Sequence, residues 1–365
     1  MKVKFISLLL AVVMVMCAFC ACGDPMADVS SDNSSTNDTS SHDDLADSNL
    51  KVDKYMNNLT GCFDLETEDE ANARPVAVMV NNITTAQKVQ TGLGDASIVY
   101  ETVVEGGITR LLAVYKNIDK VGQIGTIRSA RYSYVDLANG HDALYFHCGA
   151  DVVYCEPYMK QLGTDNININ LGAYNKYGKR ISNGLASEHT MYTTGELITK
   201  AMTDNKRRTE YKDGSAHANA WQNFADEDKT VKYNDGIATK ISVFFSASYV
   251  TNFKYDTETK KYVKSNKNGG STDYKTGESN SYKNLLVLFT KTSNFADNYH
   301  VKVSLNSGEG YYMTNGTLKK IKWSKGDSNA SFKITDENGD AVEFSAGNTY
   351  VCIPSDSVKD KTTIS

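Results

Sequence analysis

The polar constellation best suited to chemistry in the 365-residue chain lies between Glu101 and Asp151. Glu101 and Glu105 precede Gly106-Gly107, Thr109-Arg110 opens an apolar stretch, and Arg128-Ser-Ala-Arg131 follows Gly125. Arg128 and Arg131 are three apart, so on a helical turn they share a side, and the open N–H groups of a helix start add positive potential. Two guanidiniums in that setting suit a phosphate or a carboxylate. The same residue types also fit a plainer arrangement, in which Glu101 and Glu105 neutralise Arg110, Arg128 or Arg131 and the ions only fix the fold. Acid/base work is open to Glu105, His147 and Asp151, with Arg128 stabilising developing charge. His147 ends a strand-like run with Asp151 close behind, whereas Cys148 shares a face with Leu144 and Phe146 and reads as a core thiol. His189, beside Glu188, either reaches the same cleft or bonds a loop carbonyl. His141, His147, Asp151, Cys155 and Glu156 match no paired-ligand zinc spacing, so neither a metal nor a cofactor is expected. The sequence holds no Gly-x-Ser-x-Gly elbow, no phosphate loop ending in Gly-Lys-Ser/Thr and no His-Glu-x-x-His, which weighs against common hydrolases and nucleotide binders and leaves catalysis open.

These side chains need a scaffold, and the apolar pattern supplies one. Runs at 75–80, 97–101, 108–115 and 143–148 are short and β-branched or aromatic, as strands are. Ser129 is a candidate cap for a helix running to Gly140, 157–162 forms a second helix closed by Gly163, and a third runs from Thr194 to about Lys206. Strands interleaved with helices indicate an α/β or α+β domain, assigned to 51–218. After about Trp221 the runs 240–245, 284–289, 300–304, 310–313, 318–323, 331–334, 341–344 and 349–353 are strand-length. Asn315-Gly316, Asn338-Gly339 and Gly347-Asn348 are expected to be hairpin turns, and 266–280 an exposed loop. Residues 219–365 therefore form a β-rich domain. The 22 tyrosines are mostly strand residues in this reading rather than sugar platforms.

Location is written at the N-terminus. Lys2 and Lys4 precede an apolar run from Ile6 to Phe19, too short to span a bilayer comfortably, so 1–21 reads as a signal peptide. Residues 22–50 are Ser, Asp, Asn and Thr with few aliphatics and form an acidic, disordered linker; as a flexible coil it would reach about 25–30 Å. Removing the signal and linker takes Lys2, Lys4 and seven aspartates from the 39 basic and 44 acidic residues, leaving 37 of each in the body. A neutral body argues against nucleic acid as a partner. Cys62, Cys148, Cys155 and Cys352 allow three disulfide pairings or free thiols.

Two resemblances sharpen this. Phe19-Cys20-Ala21-Cys22-Gly23 resembles a bacterial lipobox, which implies cleavage before Cys22, acylation of its sulfur and a membrane-lipid anchor outside the cytoplasmic membrane. Arg74 to Asn81, Gln90-Thr-Gly-Leu93, Ala96 to Glu101, Val104-Glu-Gly-Gly-Ile-Thr-Arg110, Ile124-Gly125 and Arg128-Ser-Ala-Arg131 resemble the YerB-type lipoproteins of Gram-positive bacteria, a two-part family without an assigned biochemical function. The likeness extends more loosely through His147 and 188–192, and the β-rich half ending at Ile353-Pro354 fits the second part. Thr126 stands where the family pattern suggests proline, and Cys148-Gly-Ala-Asp151 replaces a more Gly/Ser-rich run. A remoter likeness in strand order and the Arg-bearing turn is to the LytR-CpsA-Psr wall-polymer transferases, although Ser129 follows Arg128 where those enzymes carry an acidic residue. Together these imply an envelope lipoprotein that binds an anionic ligand, wall polymer or lipid-linked phosphate through Arg110, Arg128 and Arg131, with Glu101, Glu105, His147 and His189 beside them. An envelope enzyme acting on a phosphate-linked wall precursor, or a scaffold for a membrane protein complex, are the rival readings.

Overall fold

Strands β1 (Val76–Asn81), β2 (Ile98–Val103) and β3 (Thr109–Tyr115) are almost wholly buried, as unbroken Val/Leu-rich runs covered on both faces must be. β3 pairs antiparallel with both β1 and β2. In chain order β4 (Gln123–Gly125), β5 (Leu144–His147), β6 (Asn166–Asn168), β7 (Lys179–Arg180) and β8 (Met191–Thr194) follow. β5 runs parallel to β1, and β6 parallel to β5. Helices α1 (Glu68–Asn72), α2 (Tyr132–Asn139), α3 (Cys155–Leu162) and α4 (Gly195–Asp204) complete an N-terminal α/β region. The computed structural model describes residues 54–212 and 221–365. The signal segment, Cys22, the 22–50 linker and the 218/219 boundary lie outside them.

The C-terminal region is strand-rich and continues the same sheet. Thr349–Ile353 lies parallel between β2 and Asn284–Leu288, Ser307–Thr314, Thr317–Lys325 and Gly236–Ile237 extend the order antiparallel, and Phe332–Thr335 also pairs with Thr317–Lys325, giving eleven strands. Apolar side chains of β1 alternate, Val76, Val78 and Val80 to one face and Ala77 and Met79 to the other. The first face meets α4 and a second sheet built on Lys240–Phe244, Val250–Asp256 and Lys261–Asn266; the other meets α2 and α3. Each Val or Leu sealed between such layers contributes about 1.5–3 kcal/mol.

Several elements differ from the sequence expectation for identifiable reasons. α2 starts at Tyr132, not Ser129, because Ile127 and Ala130 bridge to Val80 and Ala150 and hold the segment extended, leaving Arg131 as N-cap at φ −137°. α3 starts two residues before Pro157 because Asp151 accepts the N–H groups of Val153, Tyr154 and Cys155. α4 begins as expected, with Thr194 Oγ1 accepting from Leu197 N. Asn315-Gly316 is a two-residue turn between antiparallel strands, but Gly347-Asn348 leads into a strand paired in parallel and makes no hairpin. Segment 266–280 is exposed over most of its length, as expected, but it is anchored: Asn266, Ser271 and Asn280 are buried, and Asp273 accepts from Thr91 Oγ1 and Gly92 N. The four described cysteines form no disulfide. Among the described residues no helix is long and apolar enough to cross a membrane.

Candidate functional site

β1, β5 and β6 run in parallel and end at Asn81, His147 and Asn168, while antiparallel β3 begins at that same edge with Arg110 opposite Asn81. Carboxyl ends of parallel strands are where connecting loops converge and ligands bind in open α/β sheets. Three loops meet here. The 126–131 segment is stitched to β1 by Arg128 N donating to Met79 O at 3.0 Å. It is tied to the 148–150 turn by Cys148 N to Arg128 O (3.1 Å) and Ala130 N to Gly149 O (2.9 Å). The 104–108 loop turns back through Gly106 and Gly107, whose φ of 67° and 69° few other residues adopt, and so presents Glu105 to Arg131.

The arginines are in very different states. Arg131 Nε donates to both Glu105 oxygens at 2.8 Å, and its side chain is largely covered. Arg128 is half-buried and reaches the carbonyl of Glu188 at 3.3 Å. Arg110 is 5% exposed. Its guanidinium donates to Ser129 O, and among the described residues no carboxylate lies within ion-pairing distance of it. Burial, then repulsion from Arg131, pushes Arg110 down to about 10, with Glu105 opposing and Arg128 adding to the repulsion. Burial also lowers Arg128, and Arg131 and Arg180 repel it further. The edge therefore gathers Arg110, Arg128, Arg131 and Arg180 against Glu105 and Glu188, an excess of positive charge in a partly desolvated place.

The other sequence candidates separate. Glu101 does not join the arginines: it is fully buried on the opposite face, where Oε1 accepts from Asn82 Nδ2 (3.0 Å) and Thr109 Oγ1 (2.7 Å), and Oε2 from Thr251 Oγ1 (2.8 Å) and Tyr350 OH (2.6 Å). His147 is 1% exposed, with Nδ1 at 2.7 Å from Gly149 O and Nε2 at 3.2 Å from Asn166 Oδ1, and burial pushes it down to about 4. A neutral ring donating to Gly149 O braces the 148–150 turn instead of facing solvent. Cys148 packs against the same core face as Leu144 and Phe146, as expected, but is half-buried rather than sealed; burial pushes its thiol up, and Arg180 and Arg128 pull it back. Asp151 caps α3 and bonds His300 Nε2 at 3.1 Å. His189 stays at the site: Asn81 Nδ2 donates to its Nδ1 at 3.0 Å, Glu188 lies 3.8 Å from Nε2, and burial followed by Arg128 lowers its pKa. Among the described residues no group of three or more His, Cys, Asp or Glu could hold a metal.

Arg180 and Lys264 went unread in the sequence. Arg180 arrives through the pairing of β7 with β8, a long-range event with no local signal. Lys264 did leave one, since Tyr262, Lys264 and Asn266 occupy the inward phase of an alternating strand.

Residues 59–209 match the family described as "Protein of unknown function (DUF3048) N-terminal domain", and 239–351 its C-terminal counterpart. A curated relative, "Putative lipoprotein YerB" of Bacillus subtilis (strain 168), is 26% identical over 305 residues, covering 82% of this chain and 86% of the relative. The crystal structure of YerB protein from Bacillus subtilis superposes with a TM-score of 0.69 at 24% identity, covering 86% of this chain and all of that one, which shows a shared fold.

Proposed function

We propose, from the premise that this chain belongs to the two-part DUF3048 family of YerB-like proteins, that it is a lipid-anchored envelope protein binding a phosphate-bearing anion at the carboxyl edge of its sheet. The address rests on the lipobox-like Phe19 to Gly23 and on the lipoprotein name of the Bacillus relative: acylated Cys22 holds the body at the outer face of the cytoplasmic membrane. Residues 51–218 carry the site, and 219–365 buttress it.

The observation that carries the anion reading is Arg110. A buried cation is ordinarily paired, because removing it from water without a counter-charge is costly. Here the counter-charge on offer, Glu105, is taken by Arg131, while Arg128 and Arg180 add charge of the same sign. An incoming anion supplies what the fold withholds, and planar guanidiniums suit phosphate oxygens. The test is calorimetric titration of the mature chain, with Cys22→Ser to prevent acylation, against inorganic phosphate and glycerol phosphate. Affinity in the millimolar range or tighter, lost in Arg128→Ala, is the expected result; equal heats from both proteins would discard the reading.

A further inference from the structure

The segment that bears Arg128 and Arg131, and the turn bonded to it, both run directly into an exposed apolar surface. Segment 128–131 continues into Tyr132, and the 148–150 turn continues through Asp151 into Val152-Val153-Tyr154. Val152 is 69% exposed, Val153 54% and Tyr299 61%, three of the eight large hydrophobic residues exposed among those described. They belong to one region of surface, since Asp151 bonds His300 at 3.1 Å and the rings of Tyr154 and Tyr299 lie 5.4 and 5.0 Å from the His300 ring. Beneath it Phe295 stacks on Tyr154 at 4.0 Å and meets Tyr132 edge-on at 5.1 Å, a rigid base.

The chemistry of this surface narrows the ligand. Its carboxylates Asp151 and Asp297 both bond the one imidazole of His300, which holds them at the edge of the apolar area. The faces of Tyr154 and Phe295 are occupied by each other, so the protruding groups are two aliphatic side chains, Val152 and Val153, and a single ring, Tyr299. Cations at one end and a solvent-exposed hydrocarbon surface beside them complement an amphiphile, whereas a small soluble anion would leave the apolar part uncovered. Resting on the anion reading above, we infer that the ligand is the phosphate headgroup of an anionic membrane lipid, with Val152, Val153 and Tyr299 resting against the bilayer's apolar boundary.

The experiment uses the mature Cys22→Ser chain, which lacks an acyl group, in vesicle sedimentation with phosphatidylglycerol mixed into phosphatidylcholine, with phosphatidylcholine alone, and in titration with glycerol phosphate. The variants are Val152→Asp with Val153→Asp, Tyr299→Ser, and Arg128→Ala, each checked for an unchanged thermal midpoint. Phosphatidylglycerol vesicles should be bound, with affinity falling tenfold or more in the valine pair and in Arg128→Ala and to a smaller extent in Tyr299→Ser. Glycerol phosphate binding should fall only in Arg128→Ala. Wild-type-like vesicle binding by both the valine pair and Tyr299→Ser, or equal binding to the two vesicle types, overturns the lipid assignment. Glycerol phosphate binding without any vesicle binding overturns it too while leaving the anion reading intact. Failure to bind either removes both.

Discussion

Replacing Arg110 by Met should leave the unliganded protein at least as stable as the native chain and should abolish its stabilisation by phosphate. The guanidinium is pushed down to about 10, chiefly by burial. Against its ordinary value above 12, at 1.36 kcal/mol per pH unit, that corresponds to about 3 kcal/mol opposing the charged folded form. Below pH 10 folded and unfolded chains both carry the proton, so the whole opposition is present at neutral pH and eases only at higher pH, where the folded chain releases its proton first. Met fits the same slot without charge. It also forfeits the charged hydrogen bond to Ser129 O, worth about 1.5–3 kcal/mol, so the net change lies between roughly zero and +2 kcal/mol. Had Arg110 been half of a satisfied buried ion pair, its removal would cost about 3–5 kcal/mol instead. Urea unfolding at pH 7 reads the difference. With phosphate at about ten times its dissociation constant the native chain gains about 1.4 kcal/mol and the variant nothing. A loss of 3 kcal/mol or more without ligand, or an undiminished phosphate response, would refute the reasoning.

Other substitutions probe the surroundings. Folded His147 titrates at about 4 because it is buried, so as pH falls from 6.5 to 4 the unfolded ring takes up a proton the folded one refuses; stability should drop by about 3 kcal/mol, a loss that His147→Gln removes from the pH profile of urea midpoints. Glu101→Gln puts an amide NH₂ against two of four hydroxyl or amide donors, and the unfolding free energy should fall by about 2–5 kcal/mol. Asp151→Ala strips the α3 start of its cap and the 292–303 hairpin of its His300 contact, for about 1–2 kcal/mol and faster amide exchange at 153–155 and 301–303; unaltered exchange there would count against the clasp.

What the sequence made legible was whatever depends on local pattern. Strands such as 76–81 and 349–353 and the cap at Thr194 follow from alternation and hydrogen-bonding chemistry within a few residues. Arg110, Arg128 and Arg131 stood out by residue type and spacing, and the fold does bring them to one edge. Their pairing was not legible. Glu101 and Glu105 are four residues apart, yet Gly106 and Gly107 turn the second toward Arg131 while the pleat of β2 sends the first to the other face, and spacing alone cannot separate those outcomes. The shared sheet was equally hidden, because Thr349–Ile353 pairs with β2 across some 250 residues. Strand 250–256 is hard to read because polar Asn252 and Lys254 alternate with Thr251, Phe253 and the partly buried Tyr255 inward, a thin apolar signal.

Arg110 is held from both faces of the sheet, and this decides how its charge must be met. Tyr134 OH, fully buried on the α2 face, donates to the Arg110 carbonyl at 2.5 Å. On the opposite face Glu101, one residue before the Thr102 that pairs with Arg110, is locked by Thr251 and Tyr350 from the C-terminal region. Backbone so pinned cannot swing outward to let the guanidinium reach bulk water, and its side chain is bonded to Ser129 O on the way. A flexible surface arginine would relieve its burial by moving; on the anion reading proposed above, this one would be relieved by an anion that enters. Binding would then spend little on ordering the site, because the Arg110 backbone is already pinned by Tyr134 and its guanidinium by Ser129 O.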